Sequence, residues 1–273
     1  MSEKIKIAVI GAASPQWGYT IVKDLFVRLS KEDILQHYEP VIVLQDIDAD
    51  KLRQFGQLCP IIAAKTSNKI RFHVTTDQKE ALDHARFAVI TIAAGSLEAM
   101  QHDLEVPPEY GVFMPVGDSI SIGGAIRAAR NIPAVLSIAK DLENTGHPDA
   151  MIINLSNPMS ILCRAITKYT KIKTVGCCHE LYNGLSFLSR LFSFEFEEWK
   201  QRLKLQIFGI NHCGWIISAK LDDQDLLEKF RQYLTEHSIT TDSKRLYDTQ
   251  NTDLTQHNVK INLFLKYGAL PYS

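Results

Sequence analysis

The chain has 273 residues, 45% of them hydrophobic and 22% charged, with a formal net charge of −1, which suits one large domain or two small ones with a substantial core. The near-neutral balance argues against nucleic acid or a membrane surface as the main partner, because either needs a basic field. No apolar run approaches the roughly 20 residues that span a bilayer, "MSEKIKIAVIG" carries no secretory pattern, and five cysteines do not make a disulfide framework, so a reducing cytoplasm is expected.

Lys4–Gly11 reads as a buried strand ending in glycine, and Gly18–Leu29 as an amphipathic helix. A second strand, Pro40–Asp48, is followed by a helical run that Pro60 should interrupt. Lys69–Thr76 and Ala85–Gly95 are further strands, and Gly123–Gly146 is a long helix. Ala150–Pro158 and Lys171–Cys178 are strands flanking a helical Met159–Tyr169. Strands alternating with helices predict an α/β fold: a Rossmann-like, doubly wound parallel sheet with ligands at the strands' carboxyl ends. Those ends carry Gly11–Ser14, Asp46, Gly95, Asn157 and Cys178. Arg202–Leu221 then alternates as strand–turn–strand, so the pattern changes near 195–203. The expected division is a dinucleotide-binding domain over 1–198 and an incomplete α+β substrate domain over 199–273.

"VIGAASPQWG" joins the first strand to the first helix, where a helix N-terminus can face a pyrophosphate. Against G-x-G-x-x-G, Ala13 and Gln16 replace two glycines, leaving Gly11 beside Ala12 and Ser14. Asp46 closes the second strand, where a carboxylate binds ribose hydroxyls and favours NAD over NADP. An ordinary α/β turn with a solvent-facing Asp is the alternative.

"GCCHE" (Gly176–Glu180) admits several readings. Adjacent cysteines cannot easily reach relaxed disulfide geometry, and a structural zinc site needs four ligands. Cys177 is expected to pack as a small apolar residue, with Cys178, the next side chain, facing the other way. In "FGINHCGWI", His212 occupies a turn between two strands. A lone histidine there is more often structural. One cysteine and one histidine together would make an open two-ligand metal site.

Taken in order, "VIGAAS", "LQDID", "VGDSISIGGAIRAAR", "NLSNPMSIL", "GCCHE" and "GINHCGWI" resemble glycoside hydrolase family 4 along essentially the whole chain. These are the NAD-dependent glycosidases outside the two-carboxylate scheme. The resemblance implies NAD held around Gly11, Ala12, Ser14, Asp46 and Gly95, and Mn²⁺ or a similar divalent ion held by Cys178 and His212. It implies a small carbohydrate substrate, with Asn157 and Asn211 on sugar hydroxyls and Asp118 in the same pocket. It also implies oxidation at C3, loss of the C2 proton, departure of the C1 substituent, addition of water and return of the hydride. His179 is the candidate for assisting the leaving group. The "CCHE" variant resembles the α-galacturonidase branch most, and Arg127 would meet a uronate carboxylate through its planar fork. Arg127 as an ordinary helix-surface arginine is equally compatible.

Two departures bear on that picture. "GDSISIGG" sets Ile120 and Ile122 beside a polar pocket, which leaves the sugar open. Family members continue beyond a segment like "YGALPYS", so the resemblance implies C-terminal truncation. The C2 base is then either beyond Ser273 or a tyrosine, Tyr267 or Tyr272, and turnover by this chain is expected to be weak or absent. A homo-oligomer is expected of the full-length domain. The competing readings are a remnant that only binds nucleotide and a lactate/malate-type dehydrogenase.

Overall fold

The computed structural model describes residues 2–15, 17–67, 69–113, 118–192, 201–239 and 257–272. It divides into two compact units, 1–177 and 178–273.

The first unit is built on six strands: β1 (Glu3–Ile10), β2 (Tyr38–Gln45), β3 (Arg71–Thr75), β4 (Phe87–Ile90), β5 (Met151–Asn154) and β6 (Lys173–Gly176). They lie in the order β3-β2-β1-β4-β5-β6, and every pairing is parallel. This is the doubly wound order, with its switch point between β1 and β4. Successive residues of β1 serve opposite faces. Ile7 and Val9 pack with Val22, Phe26 and Leu29 of α1 (Gly18–Leu29), while α2 (Glu32–Leu35) leads into β2. Leu52 of α3 (Ala49–Gly56) and Cys59 and Ala63 of α4 (Leu58–Lys65) complete that face. Ala8 and Ile10 meet α5 (Gln78–Leu82) on the other face. After α6 (Ser96–Glu109), that face is completed by Val135, Ile138 and Leu142 of α7 (Ile122–Thr145) and by Leu162 and Ile166 of α8 (Met159–Tyr169). Burial on both faces explains why the central strands β1, β2 and β4 read as near-continuous apolar runs.

The helical run after β2 breaks at Gln57, ahead of Pro60, which sits in the first turn of α4. There its missing N–H deprives the helix of no bond. Several helices, α2 among them, gave no sequence expectation, and two of these bear on the sheet's flanks. One is α5, capped by Asp77 through the Lys79 and Glu80 amides; the other is α6, whose last turn contains Pro107 and Pro108. The β6 strand ends at Gly176, two residues short of its expected end.

The second unit opens with α9 (Glu180–Phe192). An antiparallel sheet of β7 (Leu203–Ile210), β8 (Cys213–Leu221), β9 (Gln224–Asp225) and β10 (Leu270–Pro271) follows. One core gathers Leu185, Phe187 and Leu188 of α9, Ile216 and Ala219 of β8 and Phe230 of α10 (Leu226–Glu236). Phe264 of α11 (Asn258–Tyr267) and Leu270 close it. Because α9 contributes to this core, the compact units divide upstream of the expected 198/199 boundary. Residue 198 itself lies outside the described residues.

Candidate functional site

In the first unit, Gly11, Asp46, Gly95 and Asn157 lie just beyond the carboxyl ends of β1, β2, β4 and β5. Gly11 has φ +82°, and a Cβ there would lie 2.9 Å from the Thr91 carbonyl oxygen. The Gly11 and Ala12 amides both donate to the Gln45 carbonyl, at 2.9 and 3.0 Å. Asp46 Oδ2 accepts from the Ala13 amide at 3.0 Å, and Oδ1 from the Asp48 amide at 3.1 Å. Ser14 Oγ accepts from the Trp17 amide at 3.3 Å. Asp46 and Ser14 therefore shape the turn as well as facing it.

Gly18 has a role that sequence reading missed. A Cβ at Gly18 would lie 1.9 Å from the Ala12 carbonyl oxygen, so this glycine permits the close helix–strand approach that the fingerprint's third glycine normally serves. Its signal was hidden because the turn is longer than G-x-G-x-x-G. A glycine with no room for a side chain, a small Ala12 and a helix N-terminus make a cradle that fits a pyrophosphate. Gly95, φ +89°, precedes α6. The neighbouring Ala94 amide donates to Asn131 Oδ1 at 2.9 Å, and Arg130 clamps Asp103 of α6 with two hydrogen bonds.

Asp118 and Arg127 are brought together. Arg127 Nη1 donates to Asp118 Oδ1 at 2.8 Å, and Asp118 is 3% exposed. One of the guanidinium's five N–H donors is thereby occupied. Within α7, Asn131 Nδ2 donates to the Arg127 carbonyl at 2.8 Å. Asn157 Oδ1 accepts from the Met159 amide at 3.3 Å, at the start of α8. A basic cleft of about 310 Å³, lined by Lys4, Lys6, Arg71 and His73, lies toward the amino ends of β1 and β3, away from these groups.

The second unit holds the cysteine–histidine pair. Cys178 Sγ lies 3.6 Å from His212 Nε2. A zinc-like ion with roughly 2.3 Å to sulfur and 2.0 Å to nitrogen at a tetrahedral angle would separate them by about 3.5 Å, so the pair fits a shared divalent cation. Donor atoms of Cys178, Glu180 and His212 all lie within 4.8 Å of one another. Glu180, 8% exposed, is the member sequence reading left without a role. Its Oε2 accepts from the His212 amide at 2.8 Å and from Asn211 Nδ2 at 3.0 Å. Ile210 pairs with Cys213, so Asn211 and His212 form a two-residue hairpin loop. His212 has φ +61°, a conformation uncommon outside glycine, and the Glu180 carboxylate holds it there. Asn211, expected on sugar hydroxyls, gives one amide N–H to Glu180.

Cys177 is a correction. It was expected to pack in the core, yet it is exposed, as are Cys178 and Cys213. Strand alternation stops at Gly176, and the Cys177 amide donates to the Asn154 carbonyl at 2.9 Å just past the strand end. His179 is exposed, and its carbonyl accepts from the Asn183 amide at 3.2 Å. Tyr267 is 59% exposed and stands edge-on to Trp215, with ring centroids 5.8 Å apart. Tyr272 is buried; burial first, then Glu180 and the Cys178 and Cys213 sulfurs, push its phenol above the usual range. Burial lowers the Lys260 ammonium, and Glu180 opposes that shift.

The profile described as "Family 4 glycosyl hydrolase" matches residues 6–193, and that of "Family 4 glycosyl hydrolase C-terminal domain" matches 207–273. The α-galacturonidase of Thermoanaerobacterium saccharolyticum is 31% identical over 97% of this chain, which spans 57% of that protein. The crystal structure of lplD from Bacillus subtilis superposes with TM-score 0.79 at 28% identity, covering 99% of this chain and 61% of that one. A 6-phospho-α-glucosidase from gut microorganisms, solved with NAD and Mn²⁺, shares the fold with TM-score 0.79 at 22% identity, over 99% of this chain and 59% of its own.

Proposed function

This chain belongs to family 4 of the glycosyl hydrolases, and from that premise we propose that it carries the dinucleotide- and metal-holding parts of a glycosidase acting on α-galacturonides or related α-glycosides. The observation that carries the reading is the thiol and imidazole 3.6 Å apart with a buried carboxylate beside them. Cys178 and His212 would hold a divalent ion such as Mn²⁺, with Glu180 in reach as a further oxygen donor. The turn from Gly11 to Ser14 and Asp46 would hold NAD; a neighbour of the same fold was solved with NAD and Mn²⁺. When bound, the dinucleotide supplies reversible oxidation at sugar C3 and the ion supplies Lewis acidity toward sugar oxygens.

The chain's own residues do the positioning. Glu180 fixes the His212 turn, so the imidazole and thiol meet without reorganising. Asp118 orients Arg127, whose remaining donors suit a planar carboxylate. His179, next to Cys178 in the chain, would move a proton at the leaving oxygen. A tyrosine as C2 base is Tyr267 in this reading, with Tyr272 the alternative. The raised Tyr272 phenol disfavours Tyr272 as a phenolate before an ion binds. Five free thiols fit a reducing cytoplasm, and exposed Ile207, Phe208, Ile210 and Ile217 fit a homo-oligomer.

The test is p-nitrophenyl α-D-galacturonide incubated in D₂O with Mn²⁺ and NAD⁺. Release is expected to be weak, but the sugar that is released should carry deuterium at C2 and its release should depend on both additions. Release without C2 deuterium, or without need for NAD⁺, overturns the reading.

A further inference from the structure

Resting on the Cys178–His212 metal reading, we propose that Tyr272 is a positioning residue of that centre: its ring is the spacer that sets the distance between the elements carrying the donors. Gly184 lies one helical turn beyond Glu180, on the same face of α9. Gly214 lies two residues beyond His212 on β8. A Cβ at Gly184 would fall 2.4 Å from Tyr272 Cβ, and one at Gly214 would fall 2.0 Å from Tyr272 Cζ and 2.1 Å from its hydroxyl oxygen. The two glycines therefore leave the space that the tyrosine fills, one at the base of its side chain and one at the tip. The Tyr272 amide donates to the Gly214 carbonyl at 3.1 Å, and β10 pairs Pro271 with Trp215, which seats the residue on the hairpin's own strand. Tyr272 is 7% exposed, so the wedge is enclosed. A close-packed interior transmits such a spacer's dimensions to its neighbours. Removing the ring lets α9 and the hairpin relax together, and the sulfur and imidazole lose their preset separation.

The role asks for the ring rather than the hydroxyl, which sets it apart from proton transfer. Co²⁺ titration of the full chain, followed by its thiolate charge-transfer absorption, reads the centre without turnover. Tyr272→Phe should keep wild-type Co²⁺ affinity and spectrum, whereas Tyr272→Ala should weaken binding about 10- to 100-fold, the range for groups supporting metal ligands. Gly214→Ala, which drives a methyl into the ring, should weaken binding too, but should cost nothing further in the Tyr272→Ala background, because the space is then vacant. That non-additivity holds the test even where the single variants lose stability. Wild-type affinity in Tyr272→Ala, or a Gly214→Ala penalty undiminished in the double variant, overturns the proposal. Cys178→Ser separates the two levels. Loss of the absorption band upholds the metal site, and an unchanged band overturns it together with the spacer.

Discussion

Glu180 shows how one side chain can serve a site twice. Its carboxylate lies among the candidate donors and also accepts from the turn that presents His212. Glu180→Ala should leave a partly buried amide and a carboxamide without their acceptor, destabilising the second unit by about 1 kcal/mol, as measured by urea unfolding. Glu180→Gln keeps an acceptor oxygen but loses the charge, so its stability loss should be smaller while Mn²⁺ affinity, followed by electron paramagnetic resonance, still falls. An equal loss of stability in both variants would show that the charge matters more to the turn than the acceptor does. At Arg127, a planar fork cannot be replaced by a point charge. Arg127→Lys should therefore raise KM for a galacturonide roughly tenfold or more while leaving a neutral galactoside little changed, if this arginine reads the carboxylate.

At the scale of elements, the decisive junctions are two close approaches. The first is β1 against α1, where Gly18 has no room for a methyl because the Ala12 carbonyl stands 1.9 Å from the Cβ position. Gly18→Ala should move the helix N-terminus away from the turn, costing about 1–3 kcal/mol in overpacking strain and weakening NAD⁺ binding in a fluorescence titration. Gly111→Ala is the useful contrast. Nothing lies within 4 Å of its Cβ position, so only its φ of +75° penalises alanine, and NAD⁺ binding should not change. The second junction is the β7–β8 hairpin against α9, held by Glu180 and spaced by Tyr272. Both junctions depend on backbone proximity, which leaves little trace in residue spacing.

For the molecule as a whole, the α/β alternation, the parallel sheet and the antiparallel second unit were legible from apolar periodicity and from glycines at strand ends. Buried strands must be apolar on both faces, and helices must show one apolar stripe. The same core has a pH signature. Burial pushes the Cys59 thiol up to about 11, well above the usual thiol range. The folded chain keeps that proton where the unfolded chain releases it, so this contribution is fully present below pH 9 and is lost as pH rises toward 11. The loss amounts to at most about 2 to 3 kcal/mol. Cys59→Ala should flatten that alkaline decline in denaturation curves taken from pH 8 to 11. The order of motifs by itself pointed to the family, to a glycine turn after the first strand and to one cysteine and one histidine as candidate ligands, because each is carried by residue type and position along the chain. Tertiary structure alone decided that Cys177 faces solvent, that Glu180 joins the donors, that Gly18 bears the close packing and that Tyr272 rather than Tyr267 lies buried in the second core. Those outcomes depend on where strands stop and how near two backbones come, and neither distance is written in the order of residues.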